Sequence, residues 1–190
     1  MKNIYCAGLS LPFSFDLQEL VKKQPKSNPS TFGHWAIQPH HDLEKFLLNF
    51  GIGLSLCELF YSPPGARQPV HVDGSNYSNR CKINWRIDAL GSVMNWWQVK
   101  NSNYSPICLT TSLGGSYLLA DKSQYEIVWS DQLLLPSLVN VGVMHNIINY
   151  TDQARWCMSY NLVNLDTNES LQWSDAIDKL QTILITGAVL

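Results

Sequence analysis

The stretch whose reading decides the fold is Val141–Val163, VGVMHNIINYTDQARWCMSYNLV. Val143–Ile148 is mostly apolar around His145, and Asn149–Asp152 supplies turn residues. Arg155–Val163 then alternates polar with bulky apolar side chains, as a strand with one buried face does. Two short strands about a turn centred near Tyr150 predict a hairpin. Its register sets Arg155 directly across from His145 on one inward face, with Ser159 four positions further along that face.

Working outward, the same signature recurs. Ser55–Tyr61, Val70–Asp73, Lys82–Ile87, Met94–Val99, Ser116–Leu119, Ile127–Ser130 and Gln132–Leu135 all read as short strands. Pro63-Pro64-Gly65, Asp73-Gly74 and Gly114-Gly115 punctuate them. Helical spacing is confined to the flanks. Asp16–Lys23 reads as a short helix. A second helix, DLEKFLLNF, opens at His41-Asp42 with Leu43, Phe46, Leu47 and Phe50 on one face and Gly51 and Gly53 beyond it. In the tail, Ser174 is the expected N-cap of a helix bearing Trp173, Ile177, Leu180 and Leu184. Many short, evenly spaced strands between helical ends predict a mainly β jelly-roll core with helical support. The expected organisation is a single domain over residues 1–190. Residues 1–53 form a mixed helical N-terminal support, 54–165 the β core and 166–190 a C-terminal helix.

Composition narrows the function classes. A chain of 190 residues with 45% hydrophobic and 15% charged residues can bury a real core. A net charge of -2 disfavours a nucleic-acid partner. No apolar run approaches the roughly 20 residues needed to cross a bilayer, which argues against a membrane role. Cys6, Cys57, Cys81, Cys108 and Cys157 are odd in number and contain no CxxC pair, so they read as reduced thiols in a cytoplasmic setting. The expected partner is a small-molecule or peptide substrate. Nothing in the sequence sets the oligomeric state.

The chemistry centres on His71-Val72-Asp73. Side chains two apart on a strand share a face, so His71 and Asp73 can chelate one ion, and His145 is the third ligand, delivered by a distant strand. Two imidazoles and one carboxylate are the ligand set of a non-haem Fe(II) facial triad with open positions. Arg155 offers a bidentate grip on a carboxylate and Ser159 a hydroxyl, an arrangement suited to a short diacid lying between metal and guanidinium. Tyr61 lies on the strand leading toward the metal, where its phenol is a candidate donor to that diacid. Lys82, Asn84 and Arg86 alternate with Ile83, Trp85 and Ile87, giving one polar strand face, on which Asn84 is the chosen ligand contact. Plainer roles compete: Arg155 pairing with Asp152, Ser159 as an ordinary strand hydroxyl, Tyr61 and Asn84 as core residues with local partners. Trp96 and Trp97 serve packing or wall the pocket. His34, His40 and His41 read as helix-start or surface residues.

HNIINYTDQARWCMSYNL (His145–Leu162), with PVHVDG upstream, resembles the Fe(II)/2-oxoglutarate-dependent dioxygenase superfamily, in the flavour of its small prolyl or aspartyl hydroxylase-like members. There a distal His, an Asn four later, an Arg ten later and a Ser four beyond recur; here these are His145, Asn149, Arg155 and Ser159. The resemblance spans roughly Leu54 to Leu165. It implies a double-stranded β-helix (cupin-like) barrel and Fe(II) held by the catalytic ligands His71, Asp73 and His145. It also implies 2-oxoglutarate with its far carboxylate on Arg155, and O2 as the oxidant. The implied reaction hydroxylates a small molecule or peptidyl side chain while 2-oxoglutarate becomes succinate and carbon dioxide. The intact Asp73 departs from aspartyl/asparaginyl β-hydroxylases, which often lack this carboxylate, and it disfavours halogenation. Two rivals stay open: a non-catalytic binding protein of the same architecture, and a cupin-like metalloenzyme that does not use 2-oxoglutarate. The substrate would be read by Asp73–Arg80, Lys100–Pro106 and the segment before Leu54.

Overall fold

Alternating side chains, not helical stripes, organise this chain. The computed structural model describes residues 4–14, 21, 30–75, 80–87, 90–101, 104–110 and 116–185. Its strands are β1 (Cys6–Leu9), β2 (Gly33–Ile37), β3 (Ile52–Ser62), β4 (His71–Asp73), β5 (Cys81–Ile87), β6 (Ser92–Val99) and β7 (Ile107–Thr110). There follow β8 (Ser116–Leu119), β9 (Tyr125–Asp131), β10 (Ser137–Asn140), β11 (His145–Asn149), β12 (Arg155–Asn164), β13 (Glu169–Ser170) and β14 (Leu184–Ile185). Among the described residues, the short helices α1 (His41–Leu48) and α2 (Trp173–Lys179) accompany them.

The strands form two antiparallel sheets. One has the order β14-β1-β10-β5-β12-β3-β2, with β13 added to β12; the other has the order β7-β8-β4-β11-β6-β9. From β3 to β6, and again from β9 to β12, successive strands switch sheets. That winding is a jelly-roll, a double-stranded β-helix.

It also corrects the expected hairpin. β11 pairs with β4 and β6, whereas β12 pairs with β3, β5 and β13, so His145 and Arg155 stand on different sheets. The intervening residues turn a corner between sheets, and Asn149 pins it. Its Nδ2 donates to the carbonyls of Pro63 (2.9 Å) and Gln153 (2.7 Å), while its Oδ1 accepts from Thr151 N (3.2 Å) and Thr151 Oγ1 (2.7 Å).

Strand β12 divides the molecule's two tasks by residue parity. Met158, Tyr160 and Leu162 pack with Cys57 and Leu59 of β3, Ile83 of β5, Leu43 and Leu47 of α1, and Trp173 and Ala176 of α2. Trp156 packs against the same cluster. The principal apolar core therefore lies behind the larger sheet, under the helices. Arg155, Cys157, Ser159 and Asn161 point the other way and line a cavity.

The flanks differ from expectation. β1, β2 and β14 join the larger sheet, so the N-terminal and C-terminal segments supply strands as well as helix. Helix α1 begins where His40 Nδ1 accepts from Asp42 N (3.3 Å), and Gly51, at φ +66°, turns the chain into β3. Gln172, not Ser174, is the N-cap of α2, and Leu184 lies in β14 against Leu9. Gln132–Leu135 is not a strand: Leu133 adopts φ 51°, and its N–H turns back to Asp131 Oδ1 (2.7 Å). The expected helix Asp16–Lys23 (apart from Val21) and the Gly114-Gly115 turn lie outside the described residues.

Candidate metal centre and cavity

The pleat of β4 sends His71 and Asp73 to one face and the fully buried Val72 to the other. The β4–β11 pairing places His145 directly opposite His71, with ring centroids 4.4 Å apart. Each imidazole is oriented in the same way. His71 Nδ1 lies 2.9 Å from the Pro69 carbonyl and His145 Nδ1 2.9 Å from that of Val143. Nδ1–H donation to these carbonyls leaves both Nε2 lone pairs for a metal, the backbone orienting each ligand ring. Asp73 Oδ1 lies 3.5 Å from His71 Nε2 and 3.9 Å from His145 Nε2. Both distances are shorter than two metal–nitrogen bonds of about 2.1 Å laid end to end. The three donor atoms fall within 4.8 Å of one another, a set that fits one ion. This is the cluster expected from His71, Asp73 and His145.

Electrostatics prepare it further. Burial pushes His145 down, and His71 beside it adds to this, only partly offset by Asp73, so its pKa falls to about 4 and the imidazole is neutral at pH 7. Burial pushes Asp73 up, but the Lys82 ammonium and the two histidines outweigh it and hold the carboxyl well below its usual range.

Lys82 was legible only as one member of a polar strand face. The structure buries it to 8% exposure and sets its Nζ 2.8 Å from Asp73 Oδ2 and 3.0 Å from Glu58 Oε2. Burial lowers its pKa, yet the two carboxylates raise it further, so it stays charged. Glu58 also meets His34 Nε2 at 2.7 Å and accepts from Asn161 Nδ2 at 3.2 Å. Burial raises the Glu58 pKa, and His34 and Lys82 together bring it below the usual value. His34 is thus an inward residue of β2, which corrects its reading as a surface or helix-start histidine. The one sequence signal for Glu58 is a carboxylate inside the apolar run LSLCELFYS.

These groups share a cavity of about 690 Å³ between the sheets with Arg155, Ser159, Asn84, Phe60 and Tyr61. Arg155 is 3% exposed, and among the described residues nothing pairs with its guanidinium, Asp152 included. Its register partner on β3 is Ser62, whose buried hydroxyl also lacks a partner. Sequence reasoning passed over Ser62. Ser159 and Asn84 are cross-strand neighbours, and Ser159 Oγ donates to Asn84 Oδ1 (2.7 Å). Tyr61 borders the cavity, but β3 alternation puts its ring on the face opposite Glu58, against Trp156 (4.8 Å between centroids). Neither Trp96 nor Trp97 lines the cavity. Each is buried and donates its indole N–H, to the Asn140 carbonyl (2.8 Å) and to Asn146 Oδ1 (2.9 Å) respectively.

No family model and no curated protein matches the chain. Solved structures do. An oxalate decarboxylase is 12% identical over 77% of this chain, at a TM-score of 0.32, and this chain spans 31% of that one. An oxalate oxidase bound to the substrate analogue glycolate is 13% identical over 87% of this chain and 79% of its own, at a TM-score of 0.36. The collagen prolyl hydroxylase of Paramecium bursaria Chlorella virus-1, in a 2-oxoglutarate complex, is 14% identical over 75% of this chain and 87% of its own, at a TM-score of 0.24. Likeness of this degree bears on neither reaction nor ligand; the architecture rests on the sheet order itself. Among the described residues, no helix is long and apolar enough to cross a membrane.

Proposed function

We propose that this protein is an Fe(II)- and 2-oxoglutarate-dependent oxygenase that hydroxylates a small molecule or a peptidyl side chain. One observation carries the reading: a buried arginine, unpaired among the described residues, shares a cavity between the sheets with a two-imidazole, one-carboxylate donor cluster. A buried cation is costly without a counter-charge, so the cavity is built for an anion. The donor set matches the non-haem Fe(II) facial arrangement. When bound, the metal supplies oxygen activation coupled to decarboxylation of 2-oxoglutarate to succinate.

The protein's own part is binding and orientation. His71, Asp73 and His145 hold the metal. Arg155 would grip the far carboxylate of 2-oxoglutarate, and Ser62, its register partner on β3 with a partnerless hydroxyl, would offer a further hydrogen bond. Ser159 holds Asn84 Oδ1, which leaves the Asn84 amide nitrogen as a candidate donor to the cosubstrate. All five cysteines are unpaired, which supports a reducing, cytoplasmic setting.

The test is anaerobic titration of Fe(II) and 2-oxoglutarate, followed by the visible charge-transfer band, together with succinate formation in air. His145→Ala should abolish both. Metal binding without a 2-oxoglutarate-dependent band would favour a cupin-like metalloenzyme that uses another cosubstrate. Absence of both would favour a non-catalytic binding protein.

A further inference from the structure

Lys82 stands out among the groups the proposed reaction does not use. It is a buried cation from the larger sheet that reaches across the cavity to a carboxylate on the smaller one. The two oxygens of Asp73 are treated differently: Oδ1 faces the Nε2 atoms of His71 and His145, and Oδ2 sits 2.8 Å from Lys82 Nζ. Lys82 is itself fixed from behind. Glu58 holds it at 3.0 Å, and Glu58 is held in turn by His34 at 2.7 Å and Asn161 at 3.2 Å. A continuous chain of polar contacts runs from His34 through Glu58 and Lys82 to Asp73, across β2, β3, β5 and β4.

We infer that Lys82 is a positioning residue that confines Asp73 to a single metal-facing oxygen. This rests on the reading of His71, Asp73 and His145 as the metal ligands. A carboxylate with both oxygens free can chelate one ion with both and use up two positions. With Oδ2 engaged by a buried ammonium, Asp73 presents Oδ1 alone, and one more position stays open for solvent or a chelating cosubstrate. Glu58 and His34 serve this by holding the ammonium against Asp73 and away from the metal side. A structural salt bridge alone would not need this geometry, since Glu58 already neutralises Lys82.

The experiment uses Mn(II) as the probe, on the full chain without cosubstrate. Electron paramagnetic resonance in ¹⁷O-enriched water counts the water molecules on the ion. Lys82→Met should bind Mn(II) with one water fewer than the wild-type protein, because the freed Oδ2 takes that place, and Lys82→Arg should restore the wild-type count. Should Lys82→Met fail to fold, Lys82→Met combined with Glu58→Gln removes the buried pair as a neutral whole and should show the same loss. An unchanged water count in a variant that still binds Mn(II) overturns the inference and leaves the metal site standing. A wild-type protein that binds no Mn(II) overturns the metal assignment itself, a distinguishable result.

Discussion

Replacing Arg155 by Met gives two opposite signals. In the ligand-free protein, Arg155 is buried and its guanidinium has no counter-charge among the described residues. Exchanging a buried charge for an apolar side chain of similar volume is commonly neutral or stabilising by about 1–4 kcal/mol. Arg155→Met should therefore raise ligand-free stability, each kcal/mol adding roughly 2–4 °C to the melting temperature of a chain this size. Under the proposed function, the same change would also remove a charged, bidentate contact to the cosubstrate in the cavity between the sheets. Losing such a contact costs about 2–5 kcal/mol, which weakens 2-oxoglutarate binding by roughly 30- to 4,000-fold. Calorimetric titration of 2-oxoglutarate into the anaerobic Fe(II) protein measures the second effect, and thermal melts of the metal-free protein measure the first. A variant that loses stability and keeps its cosubstrate affinity would show that Arg155 serves an internal partner and that the cavity is not an anion pocket.

Ser62→Ala should leave ligand-free stability nearly unchanged, because its hydroxyl has no partner to lose, yet weaken 2-oxoglutarate by about 0.5–1.5 kcal/mol, read by the same titration. His145 sets a pH dependence. Its folded pKa of about 4 lies below the unfolded value near 6.5, so the unfolded chain takes up a proton that the folded imidazole refuses. Stability then rises with pH through that window and is lost on acidification, by roughly 2–3 kcal/mol between pH 7 and pH 4.5. Urea unfolding of the metal-free protein should show that loss shrinking by this amount in His145→Asn; equal losses would contradict the burial argument. Asn149→Ala removes four hydrogen bonds at the sheet-to-sheet corner and should cost about 2–4 kcal/mol in the same assay, with a loss under about 0.5 kcal/mol refuting its structural role.

The sequence showed the candidate donor cluster because its constraint is local and chemical. His71 and Asp73 share a face by the pleat alone, and His145 is a histidine within an apolar strand. It showed the inward parity of Arg155 and Ser159 for the same reason. It misled on how Arg155 meets the site, because strand–turn–strand patterning looks alike whether the second strand folds back onto its neighbour or crosses to the opposite sheet. Asn149 decided that question through carbonyls at Pro63 and Gln153, of which one is 86 residues away. β2, β10 and β14 escaped notice because GHWAI, SLVN and LI are too short to display alternation; neighbouring strands, not local propensity, define them. Lys82 and Glu58 were invisible as a pair because charge on one strand says nothing of the carboxylate facing it from another.

The parity of β12 has a consequence for how this protein can change. Its even-numbered side chains anchor the hydrophobic packing beneath the helices, while its odd-numbered ones furnish the chamber. Ligand preference can therefore drift by exchange at 157, 159 or 161 with little burden on folding. A single inserted or deleted residue inside the strand would instead turn greasy side chains into the chamber and drive the guanidinium into oil, so tolerance to substitution and intolerance to frame slippage coexist within ten residues.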